Sequence, residues 1–97
     1  MQYHFELDPV KNKTNLRKHG VSFEEATEIF LDPLQLSIPD NEYGELEERW
    51  ITLGNNEAHQ LRLVVHTFMT YHQDQVTLRI ISARPATRHE QKQYEGS

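Results

Sequence analysis

Leu61-Arg62-Leu63-Val64-Val65-His66-Thr67-Phe68-Met69 is the longest apolar run in the chain. It carries apolar side chains on both alternating faces, Leu61, Leu63 and Val65 on one and Val64 and Phe68 on the other. A strand that is apolar on both sides lies between neighbours and under cover, so residues 61–69 read as the central strand of a sheet. Candidate neighbours flank it in sequence: Arg49–Gly54 (RWITLG) alternates, and Val76–Ser82 (VTLRIIS) is β-branched and alternating. The connections at Gly54-Asn55-Asn56 and His72-Gln73-Asp74 are short enough for an antiparallel meander.

Upstream, Tyr3–Leu7 reads as a short strand. Asp8-Pro9 then signals a helix start, because Asp accepts from orphan backbone N–H groups and Pro suits the first helical position. The helix should reach Lys18-His19 and stop at Gly20, with cations against the negative end of its dipole. Its long apolar residues are Val10 and Leu16 alone, so its cationic face calls for a partner or ligand. Ser22-Phe23-Glu24-Glu25 has the form of a capping box, and Phe23, Ala26, Thr27 and Phe30 follow at helical spacing. This second helix, about 23–31, ends at Asp32-Pro33. Leu34–Ile38 reads as a short extended piece, and Pro39–Glu47 as a turn-rich acidic loop. A second box, Thr87-x-x-Glu90, opens a last helix to about Tyr94, and Gly96-Ser97 reads as a cloning remnant. The order β-α-α-β-β-β-α, with helices segregated from an antiparallel sheet, defines an α+β fold.

The 97 residues suit one domain spanning 1–97. With no cysteine there is no disulfide framework, thiolate metal site or Cys nucleophile. No run approaches the ~20 apolar residues of a membrane span, and acids stand where a signal peptide carries cations, so a cytoplasmic domain is expected. The net charge of −5 is uneven. Residues 9–19 hold four Lys/Arg and no acid, while residues 22–48 hold nine Asp/Glu and no Lys/Arg. Overall acidity opposes non-specific nucleic-acid binding but not a local cationic cleft, because screening confines distant acids to about 8 Å.

Four segments in this order resemble the BrnT family of bacterial toxin–antitoxin ribonucleases: FELDP…NLRKHGVSFEEA…F.DP, EERWITLG, LVVHT and RIISARPATRHEQKQYE. The likeness runs from Phe5 to Glu95, and KHGVSFEEA and RIISAR.AT..E are its most specific parts. Leu7 departs from it, standing where the family commonly has Trp; if that Trp stacks on a base, its loss weakens substrate binding. The resemblance implies a RelE-like fold and a metal-independent endoribonuclease that arrests translation. It further implies a BrnA-like ribbon-helix-helix antitoxin as partner, RNA as substrate, operator DNA engaged only through the antitoxin, and no cofactor or membrane.

RNA cleavage without a metal needs a base for the 2′-OH, an acid for the leaving 5′-oxygen and donors for the phosphorane. Arg79 is the foremost candidate, a guanidinium in an apolar strand on the face opposite Leu78 and Ile80, where burial demands an anion; a salt bridge to an acid such as Glu48 would serve equally. Arg84 is its companion. His19 is either catalytic or a dipole-stabilising residue at the helix end. His66, between Val64 and Phe68, is either a desolvated base or a hydrogen-bonded core histidine. Glu48 is a general base if burial raises its pKa, or else the last solvated acid of its run. Lys11 and Lys18 share a helical face and, with Arg49, are candidates for holding phosphates; solubilising lysines would look the same. His4, His59, His72 and His89 show no metal-ligand spacing, and a metal-dependent hydrolase has almost no support. The rival class is a catalytically silent binding module that serves as antitoxin partner or co-repressor, its acidic block meeting a basic antitoxin.

Overall fold

Asp8 and Gly20 bracket the first helix. The Asp8 carboxylate accepts from the N–H groups of Val10 and Lys11 at 2.9 and 3.1 Å, and Gly20 ends the helix in the left-handed region at φ 72°. This computed structural model describes residues 2–40, 48–72 and 74–96, with the backbone alone at 69–72. Most of the acidic loop, 41–47, therefore lies outside the described residues. The elements are β1 (Gln2–Glu6), α1 (Pro9–His19), α2 (Phe23–Thr27) continued by a 3₁₀ turn (Glu28–Leu31), β2 (Leu36–Pro39), β3 (Arg49–Asn55), β4 (Leu61–Thr67), β5 (Met69–His72), β6 (Gln75–Pro85) and α3 (Arg88–Glu95).

The α+β expectation holds, but the sheet is mixed. Its order is β1-β6-β4-β3-β2, with β5 also on β6. Strands β2, β3, β4 and β6 pair antiparallel, whereas β1 runs parallel to β6. The expected all-antiparallel sheet is thus corrected: β1 and β6 are not joined by a hairpin, so no turn dictates their direction. The run 61–69 is also two strands rather than one, interrupted at Phe68.

Two faces follow from the register. Where Val65 pairs with Ser82, His66 pairs with Ile80, so Ile81 is an extra residue, a β-bulge that resets the alternation of β6. On one face lie Val76, Leu78, Ile80, Ala83, Val64 and His66. This covered face packs against Val21, Phe23, Ala26, Ile29 and Phe30, and together they form the core. Gly54 allows the close approach there, because a Cβ at this position would sit 3.1 Å from both Cβ and carbonyl oxygen of Ile29. The other, open face carries Arg49, Thr67, Arg79, Arg84 and Glu6 by the same register.

Helix α1 is held by amides rather than by its apolar residues. Val10 and Leu16 are exposed. Asn15 is buried; its Oδ1 accepts from Ala83 N–H at 3.1 Å, and its Nδ2 donates to the carbonyls of Ala83 and Val21 at 2.8 and 2.9 Å. One carboxamide thereby completes the edge of β6 beyond the end of β1, as a neighbouring strand would. Asn12 ties α1 to α2, accepting from Phe23 N–H and donating to Glu24. Ser22 caps α2 through Glu25 N–H, while the Glu25 carboxylate turns to Arg62 Nε at 2.7 Å.

Candidate functional site

Arg49, Thr67, Arg79 and Glu6 stand in one row across β3, β4, β6 and β1. Arg49 pairs with Thr67 and Glu6 with Arg79, and the Arg79 N–H donates to Thr67 Oγ1 at 3.2 Å. Arg49 and Arg79 are half-buried and two strands apart, about 10 Å at the backbone, a span that two guanidinium arms can close around one anion.

Arg84 shares the open face because of the Ile81 bulge; residues five apart in a regular strand would point oppositely. It is already engaged, donating through Nη1 and Nη2 to the two Glu90 carboxylate oxygens at 2.9 and 2.8 Å. Glu90 also accepts from Thr87 N–H, and Thr87 accepts in return from Glu90 N–H, so the capping box and the ion pair share one carboxylate. The Arg84 hydrogen bonds, and secondarily that from Thr87, pull the Glu90 carboxyl down to about 2 against the upward push of burial. The other end of α3 is tied by Tyr94, whose hydroxyl donates to Asp32 at 2.6 Å and accepts from Asn55 Nδ2 at 3.3 Å. Burial pushes the Asp32 carboxyl up, yet donation from Asn55 N–H, Tyr94 and Leu34 N–H outweighs it and holds the group low. Helix α3 therefore covers the end of the open face distant from the Arg49–Arg79 row.

Lys11 and Lys18 are exposed on α1. Asn12 faces α2, and Lys11 and Lys18 lie about 100° and 120° round the helix from it. Both lysines therefore share a flank of α1 that is not the one Asn12 turns to α2. His19 is exposed and falls on the Asn12 flank instead. Glu48 is exposed one residue before β3.

His66 lies on the opposite face and is 2% exposed. Its Nδ1 meets the Thr67 carbonyl at 2.9 Å, and a carbonyl only accepts, so Nδ1 carries the proton. Nε2 then accepts from the Thr52 hydroxyl at 2.7 Å, and Thr52 Oγ1 accepts from Ser37 at 2.7 Å. Burial lowers the pKa of His66, against a smaller upward pull from the Thr67 carbonyl. The ring is a neutral, hydrogen-bonded histidine at the wall of a cavity of about 230 Å³. Trp50, also on that wall, was not singled out from the sequence, and neither was Asn15. The alternation of RWITLG held the signal for Trp50, which its register sets on the face of Thr52. Among the described residues no group of three or more His, Asp or Glu is placed to hold a metal ion, and no helix is long and apolar enough to cross a membrane.

An α+β sheet with one face buried under helices and a basic row on the other defines a small single-sheet scaffold, and this scaffold has a solved counterpart. The chain superimposes on the crystal structure of the Brucella abortus ribonuclease toxin BrnT with a TM-score of 0.66 at 22% identity, covering 91% of this chain and all of that one. Residues 7–90 match the family described as the ribonuclease toxin, BrnT, of type II toxin–antitoxin systems. The chain belongs to that family. No curated protein sequence matches it.

Proposed function

We propose that the protein is an endoribonuclease of RelE-like fold that cleaves RNA by attack of the 2′-OH without a metal ion. It would act in the cytoplasm, inhibit translation there and be neutralised by a BrnA-like ribbon-helix-helix antitoxin, through which alone it would reach operator DNA. The observation that carries this reading is the Arg49–Arg79 row on the open face, joined to membership of a ribonuclease toxin family. Two cations on one face, brought to bear on the same group, stabilise the added charge of a phosphorane more than the ground-state phosphodiester, which is what lowers the barrier. Lys11 and Lys18 extend the cationic surface and would hold flanking phosphates. Glu48, adjoining Arg49, and His19 are the exposed ionisable groups proposed for proton transfer. His66 lies on the face opposite the row, and Arg84 shares the row's face while holding Glu90; in this reading both position other groups.

Purified protein is expected to fragment RNA in EDTA, with Arg79→Ala lowering the rate at least 100-fold while the fold survives. Full activity in that variant would remove Arg79 from the mechanism, and loss of activity in EDTA would remove the metal-free route. One observation favours the silent binding module: Glu6 stands in register beside Arg79, a position from which a carboxylate would compete with phosphate. RNA left intact, with tight binding to the neighbouring antitoxin retained, would select that module.

A further inference from the structure

The cavity of about 230 Å³ on the covered face belongs to none of the roles above. The helices leave this end of the face open, and Tyr3, Phe30 and Phe68 supply aromatic walls beside Trp50, with the Trp50 and Phe68 rings 6.2 Å apart. Two polar features lie in the residues that line it. The chain from Thr67 through His66 and Thr52 to Ser37 has a single direction, because the Thr67 carbonyl forces the Nδ1–H tautomer. Each proton points inward, so the Ser37 oxygen at the exposed end is left with acceptor capacity. The second is Trp50 Nε1, a buried N–H without a hydrogen-bond partner among the described residues. Buried polar groups are rarely left unpaired, and an orphan beside a cavity points to a ligand. The site thus combines one acceptor, aromatic surfaces and, on the lining residue Trp50, an indole donor that lacks a partner among the described residues. That pattern suits a flat ring bearing adjacent acceptor and donor groups, as every RNA base does on its pairing edge.

We infer that this cavity is a binding pocket for a single nucleobase, separate from the arginine row and on the opposite side of the sheet. The choice of a base over other flat heterocycles rests on the ribonuclease reading. Arg49 and Trp50 are consecutive at the start of β3, which brings a phosphate site and a base site together at one end of that strand while pointing them to different faces.

The chain has one tryptophan, so its indole N–H gives a single resonance that reports on the pocket directly. Titrating the full chain with the four nucleoside 5′-monophosphates should move that resonance saturably for at least one of them. Ribose 5-phosphate should not move it. Ser37→Ala, at an exposed position, should bind the nucleotide at least fivefold more weakly. A resonance unmoved by all four nucleotides, or moved equally by ribose 5-phosphate or equally in Ser37→Ala, overturns the pocket. If RNA is still cleaved in that event, the failure is the pocket's alone and the arginine reading stands.

Discussion

The two faces of the sheet are built from the same strands and obey opposite rules. On the covered face, Leu78 and Ile80 are each 1% exposed and Val64 is fully buried, and the polar groups admitted there, Thr52 and His66, are hydrogen-bonded in series. On the open face, Arg49 and Arg79 are only half-buried, and α3 is docked by side-chain hydrogen bonds and an ion pair, with no residue of its own buried. Neighbours in one strand, such as Arg79 and Ile80, therefore meet different surroundings: a half-buried charged face for one, close packing for the other.

That contrast can be broken most sharply at those two residues. Ile80→Ala should cost about 2–5 kcal/mol of stability by opening a core cavity, as read by urea unfolding, whereas Arg79→Ala should change stability by less than about 1 kcal/mol and lower the cleavage rate at least 100-fold. Equal loss of stability in both variants would erase the distinction. Next in size is Asn15→Ala, expected to cost about 2–3 kcal/mol because the Ala83 N–H and two buried carbonyls lose their partner; the same unfolding curve measures it, and an unchanged midpoint would mean that α1 is held otherwise. Glu90→Ala should cost about 1–2 kcal/mol, since it removes half of a capping box and the Arg84 pair together. Hydrogen exchange in α3 should then rise while that of β4 stays unchanged.

The smallest effect concerns acid. The folded pKa of His66 lies below the ordinary value of 6.5, so the unfolded chain takes up the proton first. The stability contributed by the neutral ring is fully present above about pH 6.5 and drains away as pH falls toward and through the folded value. Thermal midpoints measured from pH 7.5 to 5 should fall, and His66→Gln should flatten that part of the profile. An unaltered slope would place the acid sensitivity elsewhere.

Much of the covered face was legible in the chain, because periodicity reports burial. Asp8-Pro9, Gly20 and the Thr87–Glu90 box marked the helix ends where they occur, and Arg79 opposite Leu78 and Ile80 could be read from alternation alone. The open face was less legible for specific reasons. Whether Arg79 and Arg84 share a side depends on one extra residue at Ile81, and a bulge leaves no mark in a run of β-branched side chains. The parallel pairing of β1 with β6 joins segments about 70 residues apart, with no turn to announce it. Asn15 looks like any polar residue in a polar helix until the free edge of β6 is seen beside it. Glu90 carried a capping signal that concealed its second task on Arg84.

The claim at the centre is that Arg49 and Arg79 act on one phosphodiester as a unit. Single-turnover RNA cleavage by Arg49→Ala, Arg79→Ala and the double variant tests it most directly. Groups that work as a unit are strongly non-additive, so the double variant should be scarcely slower than the worse single one. Losses that simply multiply, or a single variant that cleaves at the parent rate, would contradict it.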